Sequence, residues 1–195
     1  MLTMKYFHPV LFLLCASFLV FSCDEESPVP TQEDYEYQIY SLYLDSLEAN
    51  SLVVRQESYG GLMAISLQES HIARFIEGYN INYGEILEKL PLVNEDSLLF
   101  ENKFSVSSSN VIMATSQELR DVFTGDYQEA WKSFFDKYGE ESSVVTLSRI
   151  SFNETMDKAV FAASVGSWAY YGYYIYLEFD GGNWYIIDIK NTWVT

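Results

Sequence analysis

The sequence predicts an α+β domain, with N-terminal helices packed on a C-terminal antiparallel meander of about four strands. Three observations carry this expectation. The last fifty residues, Ser143 to Thr195, alternate side chains with a period of two and contain a Gly-Gly turn signal, as consecutive antiparallel strands do. The stretch before them, Asp126 to Gly139, repeats apolar residues at helical spacing. A second helical pattern follows Thr31. At 195 residues one domain is the natural expectation, and an apolar content of 49% suffices for a core.

The first 22 residues read as a signal rather than as fold. Lys5 and the amino terminus make a thin positive region, and Val10 to Phe21 is an apolar run too short for a membrane span. Val20-Phe21-Ser22-Cys23 resembles a bacterial lipoprotein signal, which implies cleavage before Cys23 and its acylation. Residues 23–32 form an acidic linker, Asp24-Glu25-Glu26-Ser27, kept extended by Pro28 and Pro30. A Cys followed at once by acids resembles the surface-export signal of Bacteroidota lipoproteins. That implies a surface-exposed, outer-membrane protein whose first partner is the lipid bilayer, through the acyl chains of Cys23. Cys15 leaves with the signal and Cys23 is taken by lipid. The domain at 33–195 therefore has no thiol for a disulfide, a nucleophile or a metal.

Thr31-x-x-Asp34 is a capping-box-like start, and Tyr35, Ile39, Leu42, Tyr43 and Leu47 share a face, so 33–49 is a helix stopped at Asn50. Ser51 to Glu57 is a short strand, turned by Tyr59-Gly60-Gly61. Residues 66–77 read as a helix ending before Gly78. Ile86 to Leu90 is a further helical turn, stopped by Pro91, and Asp96 caps a short helix through Leu98, Leu99 and Lys103. Asn110 to Thr115 is a strand, and Thr115-x-x-Glu118 caps a helical turn broken at Gly125. Asp126 opens the clearest helix, with Trp131, Phe134 and Phe135 on its apolar face and Gly139 as its stop. That helix is expected to cover one face of the meander. In the meander, Val145 and Leu147 share a face of the first strand, and Ala159, Phe161, Ala163 and Val165 a face of the second. Tyr171, Tyr173, Ile175, Leu177 and Phe179 share a face of the third, with Tyr174, Tyr176 and Glu178 opposite. Asp180-Gly181-Gly182-Asn183 is the hairpin turn; the fourth strand then sets Trp184 and Ile186 against Tyr185, Ile187 and Ile189.

Trp131, Phe134-Phe135, Tyr138-Gly139 and Leu147-Ser148-Arg149-Ile150-Ser151-Phe152-Asn153 carry a further resemblance. It continues through Lys158-Ala159-Val160, Gly172-Tyr173-Tyr174, Gly182-Asn183-Trp184 and Trp193. Over about 126–193 the chain resembles an uncharacterised family of Bacteroidota-type lipoproteins. Members often carry a cysteine-and-glycine segment where this chain has Gly166-Ser167-Trp168-Ala169-Tyr170-Tyr171. The family has no assigned activity, so the resemblance implies a fold unit and transfers no catalytic residue. A helix followed by a meander is also similar to cystatin-like and NTF2-like folds, by architecture alone.

The charge, 11 basic against 28 acidic residues, argues against nucleic acid as a partner. His71 is the only histidine after the signal, and no G-x-S-x-G elbow, H-E-x-x-H pair or phosphate-binding glycine loop is present. No catalytic residue, metal site or cofactor is expected. Glu140-Glu141 and Glu178 are the carboxylates to examine for glycoside chemistry. The loop at Asp180 lacks the spaced acids of a calcium loop. Trp168, Tyr174, Tyr176 and Tyr185 are the aromatic residues that the helix at 126–138 does not account for, and they form a candidate ligand platform. The sequence therefore predicts a lipid-anchored envelope lipoprotein acting as a non-enzymatic binding or accessory module, with a glycan or an envelope protein as partner. Two alternatives stand beside it: a carboxylate-dependent hydrolase acting on envelope or extracellular glycans, and a structural partner in an envelope assembly.

Overall fold

Leu52, Val53 and Val54 are three apolar residues in a row, and a strand buries consecutive side chains only when both of its faces are covered. In the computed structural model, which describes residues 30–58, 72–73, 75 and 83–194, all three are fully buried. They lie in β1 (Ser51–Arg55), which runs between two parallel neighbours, β2 (Asn110–Ala114) and β3 (Ser142–Leu147). From β3 the sheet continues antiparallel through β5 (Lys158–Gly166), β6 (Tyr170–Phe179) and β7 (Trp184–Val194). A two-residue strand, β4 (Ser151–Phe152), also pairs with β5. The sheet has seven strands, in the order β2-β1-β3-β5-β6-β7 with β4 off that path.

This corrects the expected meander of about four antiparallel strands: the sheet is mixed, and the two early strands join it through parallel pairing. The physical reason lies in the connections. Antiparallel neighbours are joined by tight turns that the local sequence announces. Parallel neighbours need long crossovers, which leave no local mark. The three-residue apolar run of β1 was the one available sign.

Helices cover both faces. On one face α1 (Gln32–Asp45) buries Ile39, Tyr40, Tyr43 and Leu44 against β1, β3, β5 and β6. Its start is the expected capping box between Thr31 and Asp34. Tyr40 and Tyr43 both meet the Phe161 ring edge-on, at 5.5 and 5.4 Å. The buried Tyr40 hydroxyl donates to the Ser148 carbonyl at 2.9 Å, so its burial strands no donor.

The opposite face carries two separate clusters. Over β1, β2 and β3, the helices α3 (Ser116–Val122) and α4 (Tyr127–Tyr138) pack Leu119, Val122, Trp131 and Phe134 on Val53, Ala114 and Val144. The expected helix at 126–138 is present, but it covers the parallel half of the sheet rather than β6 and β7. Over β5 and β6, α2 (Gly84–Val93) packs Ile86, Leu87 and Leu90 on Val160, Ala162, Tyr174 and Tyr176. Residues 72, 73 and 75 are helical, and Ile72 and Phe75 join that cluster. The rest of the expected helix over 66–77, the turn at 59–61 and His71 fall outside the described residues.

Three local expectations also change. The helix α2 runs past Pro91 to Val93, because Pro91 sits in its last turn and the Asn94 amide donates to the Leu90 carbonyl at 2.8 Å. No helix follows Asp96. Instead Phe100 enters the core, and backbone N–H groups of 101–108 are taken up by side chains of α1: Tyr37, Ser41 and Asp45. In β7, pairing shifts between Tyr176–Asp188 and Leu177–Ile186, leaving Ile187 as the bulged residue. One extra residue turns the strand over, so Ile189 shares the face of Trp184 and Ile186 instead of opposing them. Among the described residues no helix is long and apolar enough to cross a membrane.

Candidate ligand-binding cleft

The parallel strands β1, β2 and β3 begin at the same end of the sheet at which the β5–β6 hairpin turns, since Ser51 pairs Asn110 and Ser142, and Val144 pairs Gly166. Three connections converge there: 46–50 after α1, 139–141 after α4, and 167–169 between β5 and β6. They enclose an open cleft of about 700 Å³.

Trp168 forms its aromatic wall. It stands at the hairpin tip, 53% exposed, and is braced from behind by Phe135 at 5.2 Å and Trp131 at 6.4 Å. The hairpin is tight for a specific reason. The Tyr170 ring lies across Gly166, so that a Cβ there would come within 2.8 Å of it. The polar wall comes from the ends of α1 and α4. Gly139 ends α4 with φ +105°, a conformation that favours glycine, and passes the chain to Glu140 and Glu141. Glu141 accepts a hydrogen bond from the Asn50 amide. Asp45 accepts from the Ser107 and Ser108 N–H groups, both at 2.8 Å, and these bonds hold its carboxyl below the usual range. Glu48 and Glu140 make no hydrogen bond among the described residues and remain available as acceptors. Among the described residues no lysine or arginine lines the cleft.

The four aromatic residues singled out from the sequence do not form one surface. Tyr174 and Tyr176 do share a face, as the alternation predicts, but they are 0% and 4% exposed. The Phe75 ring packs on Tyr174 at 5.0 Å and the Tyr83 ring on Tyr176 at 5.1 Å. Burial pushes the Tyr174 hydroxyl up, and the neighbouring Tyr176 adds to the shift. Small side chains on β5 make room for these rings: Ala162 pairs with Tyr174 and Val160 with Tyr176. Tyr185 is half exposed, but it pairs with Glu178 near the far end of β6 from Trp168. Only Trp168 lies in the cleft. Cys23 falls outside the described residues.

The carboxylates divide similarly. Glu140 and Glu141 reach the Trp168 cleft. Glu178 lies along β6, roughly 27 Å from Tyr170 at about 3.4 Å per residue, outside the separation at which two carboxylates share one glycosidic bond. It pairs with Lys158 at 3.7 Å and accepts from the Tyr83 hydroxyl at 3.0 Å. Asp180 closes its own hairpin by accepting from Gly182 and Asn183. Among the described residues no group of three or more metal-ligating side chains converges.

The sequence marks Asn50 only as a helix stop and does not single out Asp45 or Glu48 for the cleft. The partners of Asp45 and Asn50 lie near 108 and at 141, which spacing along α1 does not reveal. Trp168 was legible: a tryptophan between two strand patterns, near the glycine that begins the turn, has no core position to fill. No family model, curated protein or solved structure matches this chain.

Proposed function

We propose that this chain is a lipid-anchored envelope protein, held at the outer membrane by acylation of Cys23, whose folded unit binds a neutral saccharide at the Trp168 cleft. It serves as a binding or accessory module rather than as an enzyme. The observation that carries the reading is the half-exposed Trp168, braced by Phe135, facing the acceptors Glu48 and Glu140. A sugar ring has an apolar C–H face, which packs on indole, and a rim of hydroxyl donors, which carboxylates accept. The charged residues described in the lining are all acidic, which repels anionic ligands and leaves a hydroxyl-rich neutral one favoured. The resemblance of the first 23 residues to a lipoprotein signal supports the location.

Titration of neutral oligosaccharides, followed by calorimetry and tryptophan fluorescence, tests this reading. Trp168→Ala is expected to weaken binding by about tenfold or more while the protein stays folded with a modestly lower melting temperature, since the ring also packs on Phe135. Equal affinity in Trp168→Ala would remove the cleft from the account. Hydrolysis of the bound saccharide that is abolished by Glu140→Gln or Glu141→Gln would replace the binding module with an enzyme.

A further inference from the structure

At the other end of α1 lies a second cleft, of about 380 Å³, built around Arg149. The backbone of Arg149 is fixed. Its N–H donates to Asn94 Oδ1 at 2.7 Å, and its carbonyl accepts from Asn94 Nδ2 at 3.3 Å and from Ser148 Oγ at 2.8 Å. Its side chain is not matched in the same way. Arg149 Nε is buried with no hydrogen-bond partner among the described residues, and the guanidinium makes no ion pair with any of them. In a chain with 28 acidic residues, a half-buried guanidinium without a carboxylate partner is unexpected.

The nearby described acids are engaged elsewhere or buried. Glu33 and Glu101 are both drawn to Lys103, at 2.8 and 2.9 Å. Glu36 is only 6% exposed and accepts from the Gln32 amide at 2.9 Å. Burial shifts its carboxyl toward the neutral form, against the pull of Arg149. The far wall is apolar: Leu98 is half-buried and Leu99 is 62% exposed.

We propose that this cleft is a receptor for a small monocarboxylate with an apolar arm, the carboxylate held by the Arg149 fork and the arm lying on Leu98 and Leu99. A guanidinium matches a carboxylate in plane and charge, and its two terminal nitrogens meet it with parallel hydrogen bonds while the buried Nε stays out of the ligand's reach. Among the described residues that line this cleft Arg149 is the one cation, and with Glu33, Glu36 and Glu101 around it the site excludes polyanions. The site is separate from the Trp168 cleft and does not rest on the saccharide reading.

Arginine Nε–H resonances of the ¹⁵N-labelled full-length protein report on the site directly. The sequence has four arginines, Arg55, Arg74, Arg120 and Arg149, so Arg149→Lys assigns the signal by its loss. N-acetylleucine is expected to shift the Arg149 signal saturably, whereas the neutral N-acetylleucinamide leaves it in place. Arg149→Gln is expected to weaken N-acetylleucine binding by about tenfold or more, the size of one charge-assisted hydrogen bond. An unmoved Arg149 signal at saturating solubility, an equal shift with the amide, or undiminished binding by a folded Arg149→Gln would each overturn the proposal. If that variant does not fold, the titration of the unaltered protein decides alone.

Discussion

Glu36 is a charged residue on the buried side of α1, and its position makes a signed prediction. Burial raises its carboxyl above the ordinary glutamate range, while the Gln32 hydrogen bond and the Arg149 charge pull it back and Glu33 adds to the rise. The folded state therefore holds this proton more tightly than the unfolded chain does. Stability from this group is fully present below the unfolded value near 4.5. It is lost as pH rises through the folded value. Glu36→Gln is expected to match the parent protein below pH 4 and to become the more stable of the two as pH approaches 7, read by thermal melts across that range. A variant less stable at pH 7 would mean that the Glu36–Arg149 attraction outweighs burial. At this scale the sequence shows residue types but not their partners. Tyr174, Tyr176 and Trp168 all looked available; the first two are covered by Phe75 and Tyr83, and only the third remains exposed.

Among the elements, those with local causes were legible. Thr31 with Asp34, Thr115 with Glu118, and Asp126 with Gly139 mark helix ends, because a cap satisfies backbone groups two or three residues away. The bulge at Ile187 was not legible, since it depends on how β7 lies along β6. The β5–β6 hairpin carries a further prediction. Gly166→Ala would push a methyl into the Tyr170 ring, which itself packs on Trp131 at 5.5 Å and Phe123 at 6.3 Å. Such overpacking costs about 1–3 kcal/mol. The variant is expected to melt several degrees lower and to bind saccharide more weakly, because Trp168 rides on the same hairpin. Unchanged melting and affinity would show that the Tyr170 ring moves aside freely.

For the whole molecule, the charge of −17 opposes close approach of copies, and the proposed attachment to a membrane rests on Cys23 alone. Cys23→Ala is expected to move the protein from the membrane pellet to the supernatant on fractionation; retention in the pellet would refute the anchor. The sheet was only half legible, and the division follows the pairing. The antiparallel half, β5 to β7, is written in consecutive segments, whereas the parallel half joins residues far apart in the chain. That second half has a consequence for how the protein is made. Ser51 pairs with Asn110 on one side and Ser142 on the other, so β1 is synthesised long before either neighbour exists. Until then Leu52, Val53 and Val54 form an apolar segment with both edges open, the kind that joins other chains. Folding must wait for most of the chain, and contacts this distant in sequence form slowly. If the chain is exported as proposed, it has to be held unfolded in transit, and fragments that stop short of β3 keep this segment exposed to chaperones and proteases.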